Sequence, residues 1–346
     1  MKYLKNIILI VIALSFASCE KVAMHSKPGT DNLSIFNEYS KICIEKFGLE
    51  KVKGIDLIAL SDSLKPYITD ELNQKELFDY MGILTTRMQE GHTSLESIND
   101  DYYISHWYFL GYPPSNNTLI TTQYYYGEEA NPDVQKIKPS DSFYEIWYGF
   151  LPQDNEIGYI RITNFEMTVT DAELEKMMKY LNDAKGIIID IRGNMGGYIN
   201  LGAKLASYFT TKEVVFANNF IKNGSGPNDF AASEMKLSSS GSSYSFAKPV
   251  AVLQDRVTFS TGSVFTIMMN SLESTTTIGQ IFGGGTGEII DGLLSNGWRY
   301  NLSTSNLVDN QNRPTDNGIE ADIPMITNPA DTTTDAIIER AIIELQ

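Results

Sequence analysis

The stretch "GIIIDIRGNMGG", residues 186–197, runs from an apolar segment directly into a glycine turn, and reads as a strand with a tight turn at its carboxyl end. On its amino-terminal side stand the strand "EIGYIRI" and a helix expected over 171–184. That helix opens with a capping box, Thr170 and Glu173, and turns Leu174, Met177, Met178 and Leu181 to one side. On the carboxyl side follow a helix from about Tyr198 to Thr210 and the strand "EVVFANNFI". Strands and helices alternating in this way imply crossover units and a mostly parallel sheet, hence an α/β core.

Beyond this center, residues 223–247 read as a long Gly/Ser-rich loop, followed by the strand "KPVAVLQD" and a helix starting near Ser260. Then come the strand "TTIGQIFG", a Gly-rich turn, the strand "GWRYNLSTS" and a closing helix from Thr334. Toward the amino terminus, "NLSIFNEYSKICIEKFG" places Ile35, Phe36, Tyr39, Ile42 and Cys43 on one helical face. A second helix from about Gln74 carries Leu77, Met81, Leu84 and Met88 and is closed by Gly91. Between this helical region and the core, residues 99–150 are rich in aromatics broken by Pro, Gly and Asn, a pattern of short strands and turns.

The 346 residues are 42% hydrophobic, enough for a large core. The formal net charge is -16, from 43 acidic and 27 basic residues with no basic block, which argues against nucleic acid as a partner. Residues 1–19 run from a basic start through a short apolar stretch to small residues before Cys19, as in a secretory signal. "FASC" looks like a bacterial lipobox, so Cys19 is expected to be lipidated and residues 20–32 to form a tether at the cell envelope, on the periplasmic side or the cell surface. Simple cleavage near Ala17 and release is the alternative. Cys43 then has no intramolecular disulfide partner and is read as a buried small hydrophobe.

Three features bear on chemistry. Ser260 lies where a strand turns into a helix, beside free N–H groups, although "TFSTG" taken alone reads as a helix cap. "DIRGNMGG" has consecutive glycines that let the backbone approach a ligand, as an oxyanion hole requires; a tight turn with a surface Asp190/Arg192 pair is the plainer reading. Among three histidines, His25 lies in the tether and His106 among aromatics, leaving His92 in "QEGHTSL" as the best-placed general base. The few scattered Cys and His give no metal-ligand cluster, and neither a metal nor an organic cofactor is expected.

From about residue 33 onward the chain resembles the S41 family of serine peptidases, the C-terminal-processing and tricorn-core type. "IGYIRITNF", "GIIIDIRGNMGG", "PVAVLQDRVTFSTGSVF" and the closing "NGIEADIPM" and "DAIIERA" correspond in order and spacing to the family's landmark segments. The resemblance implies a ClpP/crotonase-like core with a mostly parallel sheet over 99–346, preceded by a small N-terminal helical region, 33–98, that carries His92. No PDZ module of the usual size is expected, and substrate recognition would fall to the aromatic segment and the loop 223–247.

Carried over residue by residue, Ser260 matches the family nucleophile, with Thr258 and Phe259 as departures. The N–H of Thr261 and one from Gly196 or Gly197 match the oxyanion hole. One branch of the family activates the serine with a Lys at the position that is Gly285 here, and no Lys follows Ser260 in this chain. The other branch, similar to tricorn core peptidase, uses a His in a "D-G-H-T" segment, matched by "EGHT" with Glu90 in place of Asp. That branch's supporting carboxylate falls at Asp316, with Glu320 or Glu288 as substitutes. The resemblance therefore implies a cell-envelope serine endopeptidase acting on peptides or unfolded proteins, with Ser260, His92 and Asp316 as its catalytic residues. A catalytically inactive binding protein on the same scaffold is the rival, and an acyl-transferring or esterase enzyme a third reading.

Overall fold

The computed structural model describes residues 31–97, 103–106, 125, 127, 131–140, 142–326 and 334–346. The signal segment, Cys19, His25, and residues 107–124 of the aromatic-rich stretch lie outside them. In chain order the helices are α1 (Asn32–Lys46), α2 (Glu50–Lys53), α3 (Leu57–Leu64), α4 (Gln74–Arg87), α5 (Asp171–Tyr180), α6 (Ile199–Ala206), α7 (Thr261–Asn270) and α8 (Ala336–Leu345). The strands are β1 (Ser94–Glu96), β2 (Ile104–His106), β3 (Gln135–Ile137), β4 (Ile146–Leu151), β5 (Asp154–Ile162), β6 (Gly186–Asp190) and β7 (Val214–Lys222). They continue as β8 (Phe230–Leu237), β9 (Val250–Gln254), β10 (Thr275–Gly279), β11 (Ile289–Leu293), β12 (Arg299–Ser303), β13 (Ser305–Asp309) and β14 (Ile323–Pro324).

The central sheet has the order β14-β10-β9-β6-β5-β4-β3. From β14 to β5 neighbouring strands are parallel, and β4 and β3 add an antiparallel edge, so the fold is mixed α/β with a mostly parallel sheet. Every residue of β6 and β9 is buried, because α5, α6 and α7 cover one face and α8 the other. The parallel strands point their carboxyl ends, and the turns that follow β6 and β9, toward one edge, which is where ligands meet open α/β sheets.

Several elements differ from the sequence expectation. Helix α5 stops at Tyr180, since Asn182 and Asp183 are poor helix formers, and α6 gives way to a 3-10 turn over Ser207–Phe209. The stretch 223–247 is not all loop: β8 pairs antiparallel with β7, and its mostly exposed polar face hides the alternation that would reveal a strand. "GWRYNLSTS" divides at Thr304 into β12 and β13, which enter different sheets.

The small sheet β11-β12-β1-β2 brings the helical region to the core. Strand β1 pairs with β12, and Trp298 and Leu302 from the carboxyl-terminal half complete the apolar cluster of Phe36, Phe78, Met81 and Leu95. The Phe78 and Trp298 rings meet edge-on, centroids 5.2 Å apart. Cys43 is buried in that cluster, and burial pushes its thiol up to about 12.

Candidate active site

Ser260 sits between β9 and α7 in a turn held from within by Asp255. That carboxylate accepts from the N–H groups of Gly193 (2.9 Å), Val257 (3.0 Å) and Thr258 (2.8 Å), tying the β9 turn to the β6 turn. Thr258 is fully buried and its hydroxyl donates to the Ile191 carbonyl at 3.0 Å. Ser260 itself has φ 53° and ψ −125°, a left-handed conformation that costs a non-glycine residue about 1–3 kcal/mol. Its side chain makes no cap to α7. The helix-cap reading therefore does not describe this serine: its Oγ lies 3.1 Å from His92 Nε2.

His92 follows the end of α4 in a turn that begins at Gln89, φ 48°. The imidazole is 18% exposed and rests against the Phe259 ring, centroids 4.7 Å apart. The carboxylate that meets it is Glu90. Glu90 Oε1 lies 3.2 Å from His92 Nδ1, and both carboxylate oxygens accept from the His92 backbone N–H at 3.0 Å. Thr93 Oγ1 donates a further bond at 2.9 Å. A Nδ1–H donated to Glu90 leaves Nε2 as the acceptor for the Ser260 hydroxyl. Burial would raise the Glu90 carboxyl, but the imidazole and the surrounding donors outweigh it and hold the group below its ordinary value.

Asp316, the acid implied by the family resemblance, makes no hydrogen bond to the imidazole. It is buried, and its Oδ2 is paired with Lys53 Nζ at 2.6 Å. Burial and repulsion from Glu90 push its carboxyl up, with Lys53 acting against them. Glu320 is exposed, and Glu288, also exposed, accepts from Asn219 Nδ2 at 2.8 Å. In the sequence Glu90 stands out only as the residue that replaces Asp within "EGHT". The signal that could have found it is an acid two residues before a His just past a helix end, where the carboxylate can turn back onto the His N–H.

The glycine turn approaches the serine as its composition requires. Gly196 and Gly197 have φ 109° and 122°, and a methyl group at Gly196 would lie 2.7 Å from Ser260 Cβ. The two glycines are not equivalent as donors. The Gly196 N–H is taken by Asn194 Oδ1 at 2.9 Å, whereas the N–H groups of Gly197 and Thr261 have no hydrogen-bond partner among the described residues. The Thr261 hydroxyl donates to the Gly197 carbonyl at 2.5 Å, joining the two segments.

Asp190 and Arg192 are not a surface pair. Both are fully buried, and Arg192 bridges Asp190 (Nη2 to Oδ2, 2.6 Å) to Asp335 (Nη2 to Oδ2, 2.8 Å), which caps α8. Arg161 Nη1 and the Tyr159 hydroxyl complete the shell around Asp190. This network ties the start of the glycine turn to the carboxyl-terminal helix. Among the described residues no group of three or more His, Cys, Asp or Glu is placed to hold a metal ion, and no helix is long and apolar enough to cross a membrane.

A serine hydroxyl, an imidazole and a carboxylate in one hydrogen-bonded line, at the carboxyl edge of a mostly parallel sheet, is the arrangement that serine hydrolases share across unrelated folds. Residues 156–325 match the family model described as Peptidase family S41. The chain is 33% identical over 141 residues to the carboxy-terminal processing protease CtpA of Bacillus subtilis (strain 168), a match covering 39% of this chain and 27% of that relative's length. A crystal structure of a "putative peptidase" from Parabacteroides merdae superposes with TM-score 0.81 at 28% identity, covering 92% of this chain and 97% of the other. The photosystem II D1 C-terminal processing protease has the same fold, with TM-score 0.54 at 13% identity, covering 89% of this chain and 99% of its own.

Proposed function

We propose that this protein is a serine endopeptidase of the cell envelope, in which Ser260 attacks the carbonyl of a peptide bond. The observation that carries the reading is the line from Ser260 Oγ to His92 Nε2 and from His92 Nδ1 to Glu90. His92 takes the hydroxyl proton as the Oγ–C bond forms and returns it to the departing amine, giving an acyl-enzyme. Water then enters by the same route: His92 takes one of its protons as the water oxygen bonds to the acyl carbon, and returns it to Ser260 Oγ as the Oγ–C bond breaks and the acid departs. Glu90 keeps the imidazole in the required tautomer and stabilises the imidazolium. The Thr261 and Gly197 N–H groups supply the donors for the oxyanion, with the positive end of α7 behind them.

Expected lipidation at Cys19 would place this site on the periplasmic side or the outer surface of the envelope, anchored through the lipid. The match to the S41 family model and the carboxy-terminal processing relatives support a peptide or unfolded-protein substrate.

The test is hydrolysis of an unfolded protein such as casein by wild type, Ser260→Ala and His92→Ala, together with labelling by a serine-directed phosphonate. Cleavage and labelling by wild type, both lost in the variants while circular dichroism is unchanged, is the expected result. A wild type that neither cleaves nor takes the label refutes the peptidase and favours a binding protein on the same scaffold.

A further inference from the structure

Two buried carboxylates share the space behind His92, and they are held differently. Glu90 is surrounded by donors from its own turn. Asp316, in the turn before β14, has one oxygen on Lys53 Nζ and the other, Oδ1, buried without a hydrogen-bond partner. Lys53 ends α2, and its side chain is only 6% exposed. It also donates to Asn317 Oδ1 at 2.8 Å, and Asn317 Nδ2 returns a bond to the Val52 carbonyl at 3.3 Å. Helix α2 is thereby clamped to the turn that carries Asp316. Lys53 and Asp316 line a cavity of about 240 Å³ with Gln89, Gly91, Gly285 and Arg256, so it reaches the residue before His92 and the backbone under the Phe259 ring.

We propose that Lys53 is a positioning residue for His92: by holding Asp316 in an ion pair it keeps this second carboxylate off the imidazole and fixes the charge behind the His92–Glu90 pair. This rests on the Ser260–His92–Glu90 reading of the site. An uncompensated carboxylate here would compete with Glu90 for the Nδ1–H and add a second negative charge that favours the imidazolium. Among the described residues, the imidazole meets Glu90 from its own turn, and the cavity behind it is lined by Asp316 from the turn before β14, Lys53 from α2 and Arg256 from the turn after β9. Arg256 is committed elsewhere, donating from Nη1 to the Phe282 carbonyl at 2.7 Å, so Lys53 is the cation that meets Asp316 directly.

The deciding experiment is an NMR titration of the histidine rings in the full chain, with the His92 signal assigned by its loss in His92→Gln. Removing the Asp316 charge with Asp316→Asn is expected to lower the midpoint of the His92 titration, and removing the cation with Lys53→Met to raise it, each by roughly half a unit or more. Lys53→Arg should resemble wild type, and Lys53→Met/Asp316→Asn should return close to it. Should Lys53→Met alone fail to fold, Asp316→Asn and the double variant decide. Midpoints that do not move, or that move the same way in both single variants, overturn the proposal. Because the ring titration is read without substrate, an inactive wild type would refute the peptidase while leaving this test intact.

Discussion

The ring of Phe259 occupies the space that any side chain at Gly285 would need: a methyl group there would lie 2.1 Å from the ring's Cζ. The same ring packs on the His92 imidazole. The position at which one S41 branch is expected to carry a lysine is thus closed here by the residue that supports the histidine. Gly285→Lys is therefore expected to lose hydrolysis rather than gain a Ser–Lys pair, and, with φ 65° at this position, to lose about 1–3 kcal/mol of stability. Hydrolysis at the wild-type rate with an unchanged melting temperature would contradict this.

The strain at Ser260 predicts a separation of stability from activity. Glycine accepts φ 53° without penalty, so Ser260→Gly should be more stable than Ser260→Ala by about 1 kcal/mol and melt higher, with neither variant active. Equal melting temperatures for the two would mean that the turn carries no strain.

Glu90 and Asp316 should differ when each is neutralised. Glu90→Gln removes the charge that orients and stabilises the imidazolium and should lower kcat by about 10³-fold or more, whereas Asp316→Asn, which does not touch the ring, should lower it far less. Steady-state kinetics on a fluorogenic peptide distinguishes them, and the reverse order would return the role of acid to Asp316.

Gly196 tests the glycine turn. Gly196→Ala forces a methyl group against Ser260 Cβ and the Thr261 N–H and should abolish hydrolysis, while the fold, read by circular dichroism, persists. Full activity in this variant would show that the turn does not border the reacting carbonyl.

Acid sensitivity is predicted from Asp190. Burial alone would raise its carboxyl, but Arg192 and Arg161 reverse this and hold it far below the usual range. A group whose folded value lies below its unfolded value stabilises fully above the ordinary carboxylate range, and that contribution is lost as pH falls. Denaturant midpoints should drop on acidification from about pH 5 downward. Asp190→Asn should flatten that dependence and cost about 3–5 kcal/mol near neutrality, since Arg192 loses a buried partner. An unchanged slope would remove Asp190 from the account.

Much of this molecule is written locally. The apolar run into "GNMGG", the Thr170/Glu173 capping box and the periodic faces of α1 and α4 are short-range patterns, and they sufficed for an α/β core with a mostly parallel sheet behind a helical region. Ser260, His92 and the glycine turn could be singled out because each sits at an element boundary where such patterns end. Strand β8, the break at Thr304, and the short helix bearing Lys53 were less legible, since their apolar periodicity is weak or their length too small.

Tertiary structure decided the partnerships. Ser260 and His92 are separated by 168 residues, and only the pairing of β1 with β12 and the burial of Trp298 among the N-terminal helices bring them within 3.1 Å. Which carboxylate faces the imidazole was decided the same way: Glu90 turns back on its own loop, while Lys53, 263 residues before Asp316 in the chain, takes the other acid. Spacing along a chain constrains contacts within a helix turn or a strand pair, whereas the choice between two buried acids depends on which cation the fold packs beside each.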